Sequence, residues 1–180
     1  MTVHAGTPFI GRLAASLRDV PDFPKPGILF KDITPVLGDA TLFDEVCAAL
    51  AAPFIGAGIT HVAGIESRGF ILGAPVARAL GAGFIPVRKP GKLPVPTIAR
   101  AYGLEYGSDR LEVHRDACDR EARVLVVDDV LATGGTMEAA CALVEELGAT
   151  VSGVALLLEI AALGGRKRLL SRSVHVVLPV

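Results

Sequence analysis

Residues 124–137 read VLVVDDVLATGGTM. Four apolar residues run into Asp128 and Asp129, and a loop, Val130–Gly135, opens a helical pattern. The spacing predicts a buried strand over Val124–Val127, two carboxylates leaving its end, and a helix over Thr136–Leu147 stopped by Gly148. Carboxylates in that place are costly unless they meet a ligand, a cation or water. Vicinal hydroxyls suit them, since an ionised carboxylate accepts hydrogen bonds from both. Ala132-Thr133-Gly134-Gly135-Thr136 follows at a helix N-terminus. There the N–H groups and the helix dipole favour a phosphate, and glycines let the backbone approach closely. The implied ligand carries a diol and a phosphate a few bonds apart, as in ribose 5-phosphate. A plain strand-turn-helix would need neither the acid pair nor this loop.

Two further segments could handle anions. RKPGKLP, residues 88–94, sets Arg88, Lys89 and Lys92 around a Pro90-Gly91 turn. By charge and by arginine's planar donors this suits a polyphosphate, and a solvated basic loop is the plain alternative. GIESRGF, residues 64–70, lies between a predicted strand and helix and offers Arg68. Glu105 sits between Gly103 and Gly107, and by itself reads as an exposed acid. Rival phosphate motifs are absent: there is no G-x-x-x-x-G-K-[ST], and Gly56 and Gly58 precede their strand, whereas a dinucleotide fingerprint follows it.

Residues 124–137 resemble the 5-phosphoribosyl 1-pyrophosphate (PRPP) motif of type I phosphoribosyltransferases. FPKPGILFKDITPVL, residues 23–37, resembles the N-terminal base-binding segment of those members that act on adenine. GIESRGF resembles their pyrophosphate loop, and YGLEYGSDRLEVHRDA, residues 102–117, their flexible loop and the strand after it. The resemblance covers about residues 8–165. It implies that Asp128 and Asp129 hold the ribose hydroxyls and that Ala132, Thr133, Gly134, Gly135 and Thr136 cradle the 5-phosphate. Arg68, Arg88, Lys89 and Lys92 would neutralise pyrophosphate. Leu29 and Lys31 would offer backbone groups to adenine, with Phe30 near its face. Glu105 takes the place of the family's proton-transfer carboxylate. The implied reaction is adenine plus PRPP giving AMP and pyrophosphate, a purine salvage step. Mg2+ would arrive with PRPP, held mainly by its oxygens and by water, with no protein metal site. Another purine base, such as xanthine or hypoxanthine, and a non-catalytic PRPP-sensing regulator remain as alternatives. Type I relatives are often homodimers, and the same is expected here.

These residues need elements to position them. Ile10, Leu13, Ala14 and Leu17 predict a helix near 8–18, and three prolines make residues 21–27 irregular. Ile28–Phe30 reads as a short strand or extended loop, and DITPVLGDA as turns. Thr41 and Asp44 resemble a capping box opening a helix to about Ala52. Then come a strand at Ile59–Ile65, a helix at Gly69–Leu80 and a strand at Gly83–Val87. Residues 95–115 read as short strands flanking a mobile loop at Tyr102–Ser108. A strand at Val151–Leu158, a short helix near Arg166–Leu170 and a strand at Val174–Leu178 end the chain. The alternation predicts an α/β fold: a mostly parallel twisted sheet with helices on both faces. By resemblance it is the type I phosphoribosyltransferase fold, with a small N-terminal base-binding hood. Ligands in such sheets sit at the carboxyl ends of the strands.

The 180 residues suit one domain, 1–180. With 18 Lys+Arg against 19 Asp+Glu, no excess positive charge suggests nucleic acid as a partner. Val46–Ile65 lacks charge over a membrane-spanning length, but Pro53, Gly56 and Gly58 break it into a helix end, a turn and a strand. The start MTVHAGTPFIGR lacks the pattern of a signal peptide. Cys47, Cys118 and Cys141 form no metal spacing, and a reducing cytoplasm is the expected home. His4, His61, His114 and His175 are scattered, and residues 166–180 look generic.

Overall fold

The computed structural model describes residues 7–104 and 107–180. The chain falls into two compact units, residues 1–49 and 50–180.

The first unit holds helix α1 (Thr7–Ser16), the antiparallel pair β1 (Arg18–Pro21) and β2 (Leu29–Asp32), the short helix α2 (Thr34–Gly38), and most of α3 (Ala40–Ala51). Ile28–Phe30 thus resolves as the start of a strand, and DITPVLGDA contains a helix rather than turns alone. Asp32 accepts hydrogen bonds from the Thr34 amide (2.9 Å) and hydroxyl (2.8 Å), which starts α2. The cap of α3 corrects the sequence reading. Asp39, not Thr41, accepts from the amides of Thr41 and Leu42, each at 3.0 Å. A carboxylate just ahead of the first turn satisfies two orphan donors, so Asp44 is not needed as a capping-box partner.

The second unit is built on a five-stranded parallel sheet. Its strands are β3 (His61–Ile65), β4 (Gly83–Val87), β7 (Arg123–Leu131), β8 (Thr150–Glu159) and β9 (Val174–Pro179), in the order β4-β3-β7-β8-β9. Helix α4 (Arg68–Leu80) packs on β3, β7 and β4, and α5 (Gly135–Glu146) packs on β7 and β8. Val124, Leu125, Val126 and Val127 are all fully buried, so both faces of β7 are covered. The strands β5 (Thr97–Leu104) and β6 (Gly107–His114) form a separate antiparallel pair.

Two boundaries differ from expectation in ways that matter. Strand β7 does not stop at Val127: it carries Asp128 and Asp129 within it and pairs with β8 as far as Leu131 opposite Glu159. The loop therefore shrinks to Ala132–Gly134. Residues 97–104 and 107–114 are two eight-residue strands in register, Leu104 opposite Gly107. Tyr102, assigned to a mobile loop from its polar neighbours, is buried in that ladder, and Gly103 pairs with Ser108.

Candidate active site

The sheet order reverses once. The chain goes from β3 outward to β4, then returns to the other side of β3 for β7, β8 and β9. The carboxyl ends of β3 and β7 lie side by side at this switch point, the place where open α/β sheets take their ligands. Every anion-directed segment of the second unit is anchored around it.

Beyond β7, Gly134 has φ of +85° and caps α5, a conformation that disfavours any side chain. The loop wraps so closely that a Cβ on Gly134 would stand 2.5 Å from the Gly165 carbonyl oxygen. The α5 N-terminus follows at once with Gly135 and Thr136, so the amides there point to a common space. Upstream, the Asp128 carboxylate accepts from the Asp129 amide at 2.9 Å. Asp129 is 4% exposed and ion-pairs with Arg68 Nε at 2.9 Å. Gly69 permits this meeting of α4 and β7, because a Cβ there would lie 2.8 Å from the Val127 oxygen and 3.0 Å from Asp128 Oδ1. Burial, followed by the charge of Asp129, raises Asp128 well above the ordinary carboxyl range. Burial also raises Asp129, against the pull of Arg68.

Beyond β3, Glu66 organises the basic loop. It accepts from Arg88 Nε (3.1 Å), the Lys89 amide (3.0 Å) and Lys92 Nζ (2.6 Å). Burial pushes the Glu66 carboxyl up, but the bonds from Lys92, Lys89 and Arg88 hold it below its usual value. Arg88 also lies over the Phe70 ring at 5.9 Å and donates to the Lys92 carbonyl at 3.1 Å. Lys89 turns to the hairpin, bonding Tyr102 Oη at 2.9 Å and pairing with Asp109. Burial opposes the Lys89 charge, but Asp109 and Tyr102 outweigh it and raise its pKa, while Asp109 is lowered in return. Gly135 closes the ring of contacts, with the Gly103 carbonyl 3.1 Å from where its Cβ would be.

The structure therefore brings Asp128, Asp129, Ala132–Thr136, Arg68, Arg88, Lys89 and Lys92 around one switch point. Leu29, Phe30 and Lys31 lie on β2 in the first unit, where Lys31 bonds Asp19 at 2.6 Å and Phe30 meets Phe23 edge-on at 5.1 Å. Glu105 lies outside the described residues. Sequence reasoning missed the partners of the cations. Glu66 lies in the GIESRGF segment without a role assigned to it, Tyr102 falls in the expected loop, and Asp109 directly follows that loop. It also missed Gly165, which lies inside the resemblance but outside every motif that carries it. The available signal for Glu66 was an acid at a strand end two residues before Arg68.

The phosphoribosyl transferase domain family matches residues 39–176. The adenine phosphoribosyltransferase of Myxococcus xanthus is 58% identical over 163 residues, covering 91% of this chain and 89% of that one. The crystal structure of adenine phosphoribosyltransferase from Rhodothermus marinus superposes with a TM-score of 0.93 at 53% identity, over 97% of this chain and all of that one. That of Saccharomyces cerevisiae, complexed with an imino-altritol bisphosphate and adenine, gives 0.90 at 38% identity over 96% of this chain and all of that one. The match spans the switch-point loops as well as the sheet, and the chain belongs to the adenine phosphoribosyltransferases of the phosphoribosyltransferase family.

Proposed function

We propose that this chain transfers the phosphoribosyl group of PRPP to adenine. The C1′–oxygen bond to pyrophosphate breaks, a bond from a purine nitrogen to C1′ forms, and AMP and pyrophosphate leave. The observation that carries this reading is that the carboxylate pair, the phosphate-type loop and the cation-bearing loop all leave the carboxyl ends of β3, β4 and β7, with Arg68 paired to Asp129 and Arg88 to Glu66. Each matches a different part of PRPP.

In this reading Asp128 and Asp129 take the ribose hydroxyls, and Ala132, Thr133, Gly134, Gly135 and Thr136 take the 5-phosphate. Arg68 spans the ribose carboxylates and the pyrophosphate, and Arg88, Lys89 and Lys92 stabilise the negative charge that grows on the leaving group. The transition state has oxocarbenium character, so exclusion of water matters as well. Backbone groups of Leu29 and Lys31 orient adenine against Phe30. An antiparallel ribbon supports this, because β2 has a second edge pointing away from β1. Glu105 manages the purine proton.

Among the described residues no group of three or more His, Cys, Asp or Glu side chains could hold a metal. The carboxylates at the site are engaged, Asp129 by Arg68 and Glu66 by the basic loop. Mg2+ is assigned in this reading to PRPP oxygens and water, where it offsets phosphate charge. No helix is long and apolar enough to cross a membrane among the described residues. The chain is taken to work as one functional domain, as a homodimer, in the cytoplasm.

The test is turnover of purified protein with Mg2+ and PRPP, offered adenine, hypoxanthine, guanine and xanthine separately. AMP formation with adenine preferred by far is expected. Preference for another base overturns the substrate, and PRPP binding without turnover of any base overturns the reaction.

A further inference from the structure

The phosphate loop has a floor made by a segment outside the family's motifs. Ala132–Gly134 rests on the backbone of Gly165: a Cβ on Gly165 would stand 2.2 Å from the Ala132 oxygen and 2.9 Å from the Gly134 amide nitrogen. No side chain fits there, so the two backbones are in direct contact and the position of one sets the other.

Gly165 is itself held firmly. It opens a 3₁₀ turn, Gly165–Leu169, after the left-handed Gly164. The next residue, Arg166, grips Glu159 in a fork: Nε lies 3.0 Å from Oε1 and Nη2 lies 2.6 Å from Oε2. Its Nη1 also reaches the Val174 carbonyl at 3.4 Å. Glu159 ends β8, is 9% exposed, and sits in register between Leu131 of β7 and Pro179 of β9. A fork of parallel N–H···O bonds fixes orientation as well as distance. Further along the turn, Arg168 bonds Glu138 in the first turn of α5 at 2.9 Å, and Leu169 is buried in the core. The turn is thus tied to the sheet at its start, to α5 in its middle and to the core at its end.

We propose that Glu159, Arg166 and Gly165 form a clamp that sets the conformation of the 132–136 loop, acting as positioning residues for the 5-phosphate end of the substrate. The clamp rests on the reading of that loop as the phosphate site. Arg166 bonds Glu159 and the Val174 carbonyl, whereas the cations of the pyrophosphate side are held by Glu66 and Asp109. Loosening it should therefore weaken ligands by which end they carry, an asymmetry that general destabilisation does not produce.

Arg166→Ala, Arg166→Lys and Gly165→Ala test this through calorimetric affinities for AMP and for Mg2+-pyrophosphate, with thermal melts alongside. AMP carries the 5-phosphate and pyrophosphate does not. For Arg166→Ala and Gly165→Ala the expected loss of AMP affinity is about tenfold, the scale of one misaligned charge-assisted hydrogen bond. Pyrophosphate affinity should stay within about twofold, and Arg166→Lys, which keeps the charge but not the planar fork, should recover part of the AMP loss. Unchanged AMP affinity in the folded variants overturns the clamp, and so does an equal loss for both ligands. If Gly165→Ala does not fold, the Arg166 pair decides alone. Wild-type protein that binds no AMP would instead sink the phosphate-site reading itself.

Discussion

The two anion-directed loops of this protein are built from different materials. The 132–136 loop is backbone: glycines, a helix N-terminus and a neighbouring turn packed against it. The 88–92 loop is side chains, and its cations face carboxylates, with Arg88 and Lys92 on Glu66 and Lys89 on Asp109. A backbone site is fixed before its ligand arrives. A side-chain site must exchange protein carboxylates for ligand oxygens, so its affinity is a difference between two ion-pairing states. Changes to the first region should subtract binding outright, whereas changes to the second should be able to move affinity either way.

The largest effect is expected where the backbone region meets its carboxylates. Asp128→Asn with Asp129→Asn should nearly abolish turnover and weaken PRPP while the fold survives; near-normal kinetics would remove the acids from the ribose. A single Asp128→Asn adds a stability signature. Its carboxyl is raised above the ordinary 3.8, so the native state holds that proton more tightly than the unfolded chain does. Stability from this group is present at low pH and is lost as pH rises from the ordinary value through the raised one. Asparagine removes the loss, so the variant should melt higher than wild type at neutral pH and show a flatter slope. Equal melting points at pH 7 would contradict the raised Asp128 carboxyl.

Glu105→Gln comes next. It belongs to neither anion loop, so kcat should fall by roughly 10²–10⁴ with PRPP affinity hardly changed, the usual size of a general acid–base contribution. A kcat within about threefold of wild type, under ~1 kcal/mol in the barrier, returns Glu105 to an ordinary acid.

The same contrast explains what was legible in the sequence. A backbone site leaves residue types behind: the run from Val124 to Thr136 gave the strand, the acids and the loop, because glycine and threonine there have local causes. The alternation of apolar runs likewise gave the parallel sheet. What stayed hidden depends on contacts distant in sequence. Glu66 meets Lys92 across 26 positions and Lys89 meets Asp109 across 20, and neither spacing has a period. Gly165 matters only because the chain returns beneath Ala132. Strands β5 and β6 were blurred because a ribbon with one polar side lacks the apolar run of a buried strand. The Asp39 cap was missed because a nearby Thr-x-x-Asp imitates the capping signature.

Glu66→Gln should have the larger effect within the side-chain region. Glutamine keeps one acceptor oxygen but brings an amide donor into a site crowded with Arg88, Lys89 and Lys92 donors. The loop loses its anchor, and pyrophosphate affinity should fall by about tenfold, the scale of one lost charge-assisted bond. The Glu66 carboxyl is held below its ordinary value, so its contribution to stability is present above that value and disappears as pH falls through the lowered one. The variant should lose that part of the acid-side slope, and an unaltered profile would mean that Glu66 holds nothing in place.

Asp109→Asn is the smallest expected effect and the sharpest test of the contrast, because it should run in the opposite direction. Glu66 supports three groups of the 88–92 loop at once, including the Lys89 amide, whereas of that loop Asp109 meets the Lys89 ammonium, its other bonds being to Tyr102 Oη and the Arg110 amide. In the role proposed for it Lys89 would leave Asp109 to meet a pyrophosphate oxygen, so the pair would compete with the ligand. The side chains of Lys89 and Asp109 are about one-third exposed, which places the pair near the surface range of up to ~1 kcal/mol. Asparagine keeps the shape and one acceptor oxygen while removing the competing charge. Pyrophosphate affinity should then rise by about two- to fivefold, the factor that such an energy allows. Stability should drop slightly at neutral pH, where the lowered Asp109 carboxyl is ionised and contributes, and the difference should vanish at a pH acid enough to protonate it in wild type. Titration calorimetry with Mg2+-pyrophosphate decides between the two roles. A fall in affinity would make Asp109 a support of the site like Glu66, and the cations would then be held in working positions rather than parked.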